Sequence, residues 1–407
     1  MKGEALMFTS LEIKALNIEE IANKHRLPAY IYFQKIIERQ LNILKENFKD
    51  FDIFYSFKSN PNKNICCFIK RQGLFADTAS IGEVRLAEDC CFSRDEIIYS
   101  SPGKKEKEIK EALGKAIIIA DSLNELQLIN EVCRKQNIIE EIGIRINPDY
   151  SMGDAGANEI MSGISSKFGI DQEEIKTQIN YIHSLTNVKI TGLQIYMGSQ
   201  IVDREILYNN FYNIFKVAAF CKAELEFDIK FIDFGGGFGV QHTIDEKGLD
   251  IEWVGKKVAE LIASPEFNPL GNPRLIIESG RFISAPCGVY VTPVLDVKTS
   301  RGKKYAILDG GMNTFFRPMF MKETKYPIAV INKLDEKQRE KITLGGVMCT
   351  PIDIFLEDVM LPPLEKGDIL AFFNTGAYGY TMSLTKFISH DEANEIYIGR
   401  RMENDFR

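Results

Sequence analysis

Three stretches of this chain carry reactive side chains where an inert residue would be expected. The first is Phe51-Asp-Ile-Phe-Tyr-Ser-Phe-Lys-Ser-Asn60, an apolar run that reaches Lys58 and is followed by Asn60-Pro61. Proline biases the residue before it away from helix, so the run reads as a strand that stops there and gives way to a new element. An amine at the end of a buried strand is costly unless it is paired, neutral or covalently engaged, although a lysine can also snorkel to solvent. The second stretch is Phe231-Ile-Asp-Phe-Gly-Gly-Gly-Phe-Gly239. Gly235, Gly236 and Gly237 let backbone N–H groups approach a phosphate without side-chain obstruction. A small anion suits them better than a dinucleotide, because the GxGxxG spacing and its later acidic residue are missing. The third is Leu275-Ile-Ile-Glu278-Ser-Gly-Arg281. Glu278 lies in an apolar strand where an unpartnered carboxylate is strongly disfavoured. Arg281 is a fixed cation that can bind the same phosphate as the glycines or simply form a surface ion pair.

These residues need strands to hold them, and the chain supplies strands at a regular beat. Residues 10–26 read as a helix and Leu27-Pro-Ala-Tyr-Ile-Tyr-Phe33 as a strand. Further strand candidates are 51–58, 74–79, 97–101, 116–121, 141–147, 188–198, 228–234 and 274–279. Helical patterns lie between most of them, at 105–113, 123–134, 172–185, 203–222 and 251–263. Eight strand-helix repeats over about 250 residues match a (β/α)8 barrel, whose chemistry gathers at the carboxyl ends of the strands, where Lys58 falls. Alternation alone also permits an open, doubly wound sheet. From residue 289 the rhythm changes to short β-like runs at 289–298, 305–308, 342–344, 369–373 and 395–398. The expected division is therefore a barrel over 34–288 and a mostly β domain built from 1–33 and 289–407. Stretches 149–166 and 265–273 read as long loops, the first being the better candidate for a substrate gate. The run Lys104-Lys-Glu-Lys-Glu-Ile-Lys110 reads as a solvated helix face.

Composition narrows the class. A chain of 407 residues exceeds what one core usually supports, and 45% hydrophobic with 26% charged residues is ordinary for a globular protein. A net charge of -7 argues against nucleic acid as a partner. The eight cysteines include the doublets Cys66-Cys67 and Cys90-Cys91 but no CxxC, and read as reduced thiols in a cytoplasm. The four histidines have no i,i+4 partner, so no metal site is expected. The amino terminus has no apolar core segment, which implies a cytosolic protein without signal peptide or membrane span.

Taken in order, the Lys58 strand, the glycine run, Glu278-Ser-Gly-Arg281, Gly346-Val-Met-Cys349 and Gly376-Ala-Tyr378 resemble the fold-type III pyridoxal-phosphate decarboxylases of diaminopimelate, ornithine and arginine. The resemblance covers nearly the whole chain and implies an alanine-racemase-like barrel, pyridoxal 5'-phosphate as cofactor, and a homodimer with shared active sites. It implies that Lys58 carries the cofactor as a Schiff base and that Glu278 keeps the pyridine nitrogen protonated, which makes the ring a deep electron sink. Related racemases carry an arginine there, so a glutamate favours decarboxylation. Position by position, Asp77 matches an acid near the imine side, Arg145 an active-site arginine, Ser199 a phosphate-binding serine, and Tyr378 a tyrosine bonded to the phosphate. Cys349 matches the thiol that reaches across a dimer interface and protonates the carbanion after carbon dioxide leaves. Lys167 and Asp353 match a salt bridge across that interface. A non-catalytic pyridoxal-phosphate-binding regulator, the alternative of another class, would be expected to lack Lys58 or Cys349.

Two departures bear on substrate. Tyr196 stands where the diaminopimelate and ornithine enzymes stack a histidine on the cofactor ring, which preserves an aromatic face. Thr350 follows Cys349 where those enzymes place an acid for the distal ammonium of a diamino acid, and threonine offers no such charge. Arg317-Pro318 resembles the diaminopimelate enzyme, yet Met321 replaces a tyrosine of its distal-carboxylate site. Cys349-Thr350-Pro351 with Asp353, and Gly376-Ala-Tyr-Gly379 with Phe387-Ile-Ser-His390, are more similar to secondary-metabolism members. Those enzymes act on a glutamyl group held by an acyl carrier protein or on a citryl-diaminopropionate of siderophore assembly. The expected substrate is thus a modified or carrier-tethered amino acid, with Arg317, Thr350 and Asp353 as substrate-side residues and diaminopimelate as the alternative.

Overall fold

The apolar runs between residues 51 and 279 close into a ring of parallel strands in a computed structural model, which describes residues 14, 16–151, 161–241, 246–321 and 326–399. After β1 (Ala29–Phe33), the ring strands are β2 (Phe51–Ser56), β3 (Phe75–Thr78), β4 (Ile97–Ser100), β5 (Ile117–Ala120) and β6 (Glu140–Asn147). A two-residue β7 (Ile170–Asp171) pairs with β6 off the ring, which continues with β8 (Val188–Gln194), β9 (Phe231–Asp233) and β10 (Arg274–Ser279). Neighbours run β5-β4-β3-β2-β10-β9-β8-β6, and a β5–β6 pairing closes the circle, so the open-sheet alternative is excluded.

Side chains two residues apart share a face of a strand, and here the inward face changes character along its length. Phe54, Ile98, Ile117, Ile119, Phe231 and Ile276 form one buried cluster with Phe75 packed on it. Gly143 and Gly192 leave room for the Phe231 ring: a Cβ on Gly192 would lie 1.9 Å from its Cζ. Two residues further along each strand the inward position is polar. Thus Phe75 is followed by Asp77, Ile98 by Ser100, Ile119 by Asp121, Gly143 by Arg145, Gly192 by Gln194, Phe231 by Asp233 and Ile276 by Glu278. An apolar plug therefore underlies a ring of polar groups at the carboxyl ends.

Helices Glu106–Ala112, Leu123–Lys135, Arg204–Glu224 and Ile251–Ile262 follow the expected pattern, and Ser122, Asp203 and Asp250 cap the last three by accepting backbone N–H groups. The helix expected over 172–185 is broken into Gln172–Thr177 and Ile179–His183, and the expected loop 265–273 contains a 3-10 helix, Pro265–Leu270. Of the helix expected at 10–26 the structure forms Ile18–Lys24, residues 10–13 and 15 lying outside the described residues. The same holds for 152–160 of the proposed gate. Lys104 departs from the solvated-face reading. Its side chain is fully buried, with Nζ 3.2 Å from Glu125 and donating to the carbonyls of Ser101 and Ile119. The charge run belongs to a helix face only from Lys105 onward.

The chain divides into two compact units, one of residues 41–239 and 248–282, which holds the barrel, and one of residues 1–40, 240–247 and 283–407. The second is mostly β. It contains β1, β11 (Gly288–Ser300), β12 (Lys303–Leu308), β13 (Ile328–Val330), β14 (Glu340–Gly345), β15 (Ile354–Leu361), β16 (Ile369–Phe373) and β17 (Asn394–Ile398). Their order is β13-β16-β11-β12-β14-β15, with β1 antiparallel to β11 and parallel to β17. Tyr30, Tyr290, Phe315, Phe355 and Phe372 fill its core. The sequence did not announce β15, because it is an edge strand with exposed Glu357 and Asp358 breaking its apolar run. Among the described residues no helix is long and apolar enough to cross a membrane.

The thiols hold a second correction. Cys67 and Cys90 form a disulfide with Cα atoms 4.8 Å apart, because helix Lys63–Arg71 runs beside the carboxyl end of helix Ile81–Asp89. Cys66 and Cys91, their chain neighbours, stay free.

Candidate active site

The strand carrying Lys58 stops at Ser56, short of the expected end, and a single 3-10 turn, Phe57–Ser59, lifts the amine out of the barrel wall. Its Nζ lies 3.0 Å from Asp77 Oδ2, 3.9 Å from Glu278 Oε2 and 5.5 Å from the centre of the Tyr196 ring, with the side chain 38% exposed. The cost of placing an amine here is thus met by two acids rather than by burial in an apolar wall.

The glycine run turns as its residue types require. Gly235 and Gly237 have φ of +60° and +95°, and a Cβ on Gly236 would lie 2.3 Å from the Glu278 carbonyl oxygen. Ile201 N–H donates to Gly237 O at 2.8 Å, so the loop holding Ser199 is tied to the glycine loop. Arg281 begins the short helix after β10, and its Nη2 donates to Ser199 Oγ at 3.1 Å. Gly280 packs the two halves together, since a Cβ there would meet Ser59 at 2.9 Å. Ser199, Gly235–Gly237 and Arg281 therefore converge where β8, β9 and β10 end. Arg145 on β6 is buried, with its guanidinium 4.6 Å above the Phe168 ring, 5.9 Å from the Tyr196 ring and 3.9 Å from Asp121 Oδ1.

Sequence reading missed four residues beside these. Gln194 Nε2 donates to Glu278 Oε1 at 2.7 Å and to Asp233 Oδ2 at 3.1 Å, and Ser100 Oγ donates to Gln194 Oε1 at 2.6 Å. Asp233 Oδ1 also accepts Gly235 N–H at 2.9 Å. Burial raises the Glu278 carboxyl well above the carboxylate range, and the Asp233 and Asp77 charges add to the rise while Lys58 opposes it. Burial raises Asp233 as well, its hydrogen bonds opposing the shift. Glu83, which accepts Ala79 N–H, is pushed up to about 7, mainly by burial. The signal that singled out Glu278, a polar residue interrupting an apolar strand, also marks Gln194 between Leu193 and Ile195 and Asp233 between Ile232 and Phe234.

The donor set fits pyridoxal phosphate. Glycine backbone, a hydroxyl and a guanidinium suit its phosphate, an amine beside acids suits its aldehyde, and a buried carboxyl suits its ring nitrogen.

In the second unit, Arg317 opens the short helix Arg317–Phe320 and is buried. Its Nη1 donates to Met382 Sδ at 3.4 Å, and the guanidinium lies 5.3 Å from the Tyr378 ring, whose residue has φ of +58°. The Cys349 thiol is exposed, and Thr350 N–H donates to Met348 O at 2.8 Å. Asp353 was expected to face Lys167 across an interface and to serve substrate. Instead it is 2% exposed and its two oxygens accept N–H of Met312 and Met348, each at 2.7 Å. Gly311 and Gly346 make the space, for a Cβ on either would come within 2.3 Å of that carboxylate. Lys167, in the barrel unit, has its ammonium 5.1 Å from the Phe168 ring.

A family model described as pyridoxal-dependent decarboxylase, pyridoxal binding domain, matches residues 34–285. The chain is 32% identical over 406 residues to the L-glutamyl-[BtrI acyl-carrier protein] decarboxylase of Niallia circulans, covering 95% of this chain and 92% of that protein. It is 30% identical over 385 residues to the diaminopimelate decarboxylase of Aquifex aeolicus, covering 92% and 87%. The crystal structure of diaminopimelate decarboxylase from Helicobacter pylori complexed with L-lysine aligns with a TM-score of 0.84 at 29% identity over 94% of each chain. The chain therefore belongs to the pyridoxal-dependent decarboxylases and is a pyridoxal-phosphate-dependent amino-acid carboxy-lyase.

Proposed function

We propose that this enzyme removes the α-carboxyl group of a modified or carrier-tethered amino acid, such as a glutamyl group on an acyl carrier protein. The observation that carries this reading is the acid missing after Cys349. Thr350 stands there, and the next acid along the chain, Asp353, has both oxygens committed to backbone N–H groups. A free distal ammonium thus finds no carboxylate on this turn. Likeness to the Niallia circulans carrier-protein decarboxylase is in keeping with it. Diaminopimelate decarboxylation is the second reading, favoured by Arg317-Pro318.

Bound pyridoxal phosphate would supply the sink for the electron pair left on the α-carbon when carbon dioxide departs. Lys58 Nζ is the amine that would hold the cofactor's aldehyde, and Asp77, 3.0 Å away, would keep that amine in place. Glu278 Oε2 holds a proton toward the ring nitrogen, and Tyr196 covers a ring face. Gly235, Gly236, Gly237, Ser199 and Arg281 bind the phosphate, and Arg145 lends positive charge beside Tyr196. On the motif resemblance alone, Tyr378 adds a phosphate contact, and Cys349 Sγ returns a proton to the product carbon in the partner subunit's site of a homodimer. The test is mass spectrometry of the purified enzyme with glutamyl-carrier protein and with meso-diaminopimelate. Loss of carbon dioxide from the carrier-bound substrate supports the proposal. Efficient formation of lysine from diaminopimelate would replace it with the second reading.

A further inference from the structure

Glu278 and Asp233 come from neighbouring strands, point into the same barrel and are fully shielded from water. Two acids so placed repel each other if both are charged and share a proton through a hydrogen bond if one is not, and Gln194 also touches both: its Nε2 donates to Oε1 of the first and Oδ2 of the second. The amide has one orientation that satisfies its surroundings. Ser100 Oγ at 2.6 Å supplies a proton to Oε1, which leaves the NH2 end facing the acids. Among the described residues, the other charges acting on the pair are Lys58 and Asp77. Lys58 lies 3.9 Å from Glu278 Oε2, Asp77 pairs with Lys58, and Glu83 acts on both of those from the adjoining helix.

We propose that Gln194 is a positioning residue of this site: pinned by Ser100, its amide binds Asp233 and Glu278 together and thereby sets how much negative charge faces the cofactor's ring nitrogen. The inference rests on the reading that Glu278 serves that nitrogen. Asp233 accepts from Gly235 N–H, from Gln194 and from the Glu278 carboxyl itself, all of which favour its charged form, whereas Glu278 accepts one amide donor and holds the proton the two share. Without Gln194 both carboxyls lose a donor that favours their charged form, and the repulsion between them is no longer offset.

Gln194→Met keeps the length and removes the donors, and Ser100→Ala removes only the pin. Two measurements on the full-length protein decide the matter: the melting temperature from pH 5 to pH 8 without cofactor, and the dissociation constant for pyridoxal phosphate by absorbance titration. The sign follows from linkage. Groups whose carboxyl is raised in the fold give stability that is complete below the ordinary carboxylate range and is lost as pH climbs through the raised value. Removing donors raises them further, so the loss in Gln194→Met should grow from pH 5 to pH 8. Cofactor affinity should fall about tenfold, the equivalent of one pKa unit, and Ser100→Ala should move both readouts the same way by less. A melting-temperature loss equal at both pH values, with unchanged cofactor affinity, would mean Gln194 only fills space and would overturn the inference. Glu278→Gln separates the two claims. If it leaves cofactor affinity intact, the reading of Glu278 falls. If it weakens affinity while Gln194→Met changes neither slope nor affinity, the inference about Gln194 falls alone.

Discussion

Lys58 is placed by neighbours that come from other strands. Asp77 at 3.0 Å and Glu278 at 3.9 Å hold the amine at the barrel mouth, and a partly exposed position leaves it open to an aldehyde. Wild-type protein mixed with pyridoxal phosphate should show an absorbance band that borohydride abolishes, and Lys58→Ala should show none. At this scale the sequence was legible wherever a polar residue interrupted an apolar run and a motif gave it a reason, as at Lys58 and Glu278. Gln194 carried the same signal but no motif, and Asp233 lay in the glycine stretch with no role assigned to it; only the three-dimensional pairing of β8, β9 and β10 brings them to Glu278. Lys104 was misread because one buried lysine opened a run whose other members are solvated.

Strand by strand, the barrel depends on size matching as much as on hydrophobicity. Phe231 fills the space that Gly192 and Gly143 leave, so the plug beneath the polar ring is set by one large residue and two absent side chains. Gly192→Ala should destabilise the protein by about 1–3 kcal/mol or more, as overpacking does, measured as a lower urea midpoint. Phe231→Leu in the same chain should recover part of that loss. If Gly192→Ala were neutral, the ring would have room that the structure denies it. Continuous apolar runs made the ring strands readable, because parallel strands buried on both faces lack polar alternation. Edge strand β15 was not readable, since its charged residues face solvent, and the break inside 172–185 left no mark in the helical spacing.

For the molecule as a whole, two units of different construction are drawn from one chain. The proposed homodimer gives a direct test. If Lys58 and Cys349 serve a shared site from different subunits, mixing inactive Lys58→Ala and Cys349→Ala proteins should restore up to about a quarter of wild-type activity, as random reassortment of a two-fold pair allows. No recovery after confirmed subunit exchange would mean each chain uses its own thiol. Closure of the barrel could not be read from alternation and needed the β5–β6 pairing. One pairing in the second unit has a consequence for the newborn chain. Tyr32 on β1 donates to Glu395 on β17, 363 residues later. At roughly 5–20 residues per second a ribosome takes about 20 to 70 s to cover that distance. Through that interval β1 lacks its β17 partner, and it gains β11 only once residues 288–291 have been made, so an apolar strand stays incompletely paired while the newborn chain lengthens.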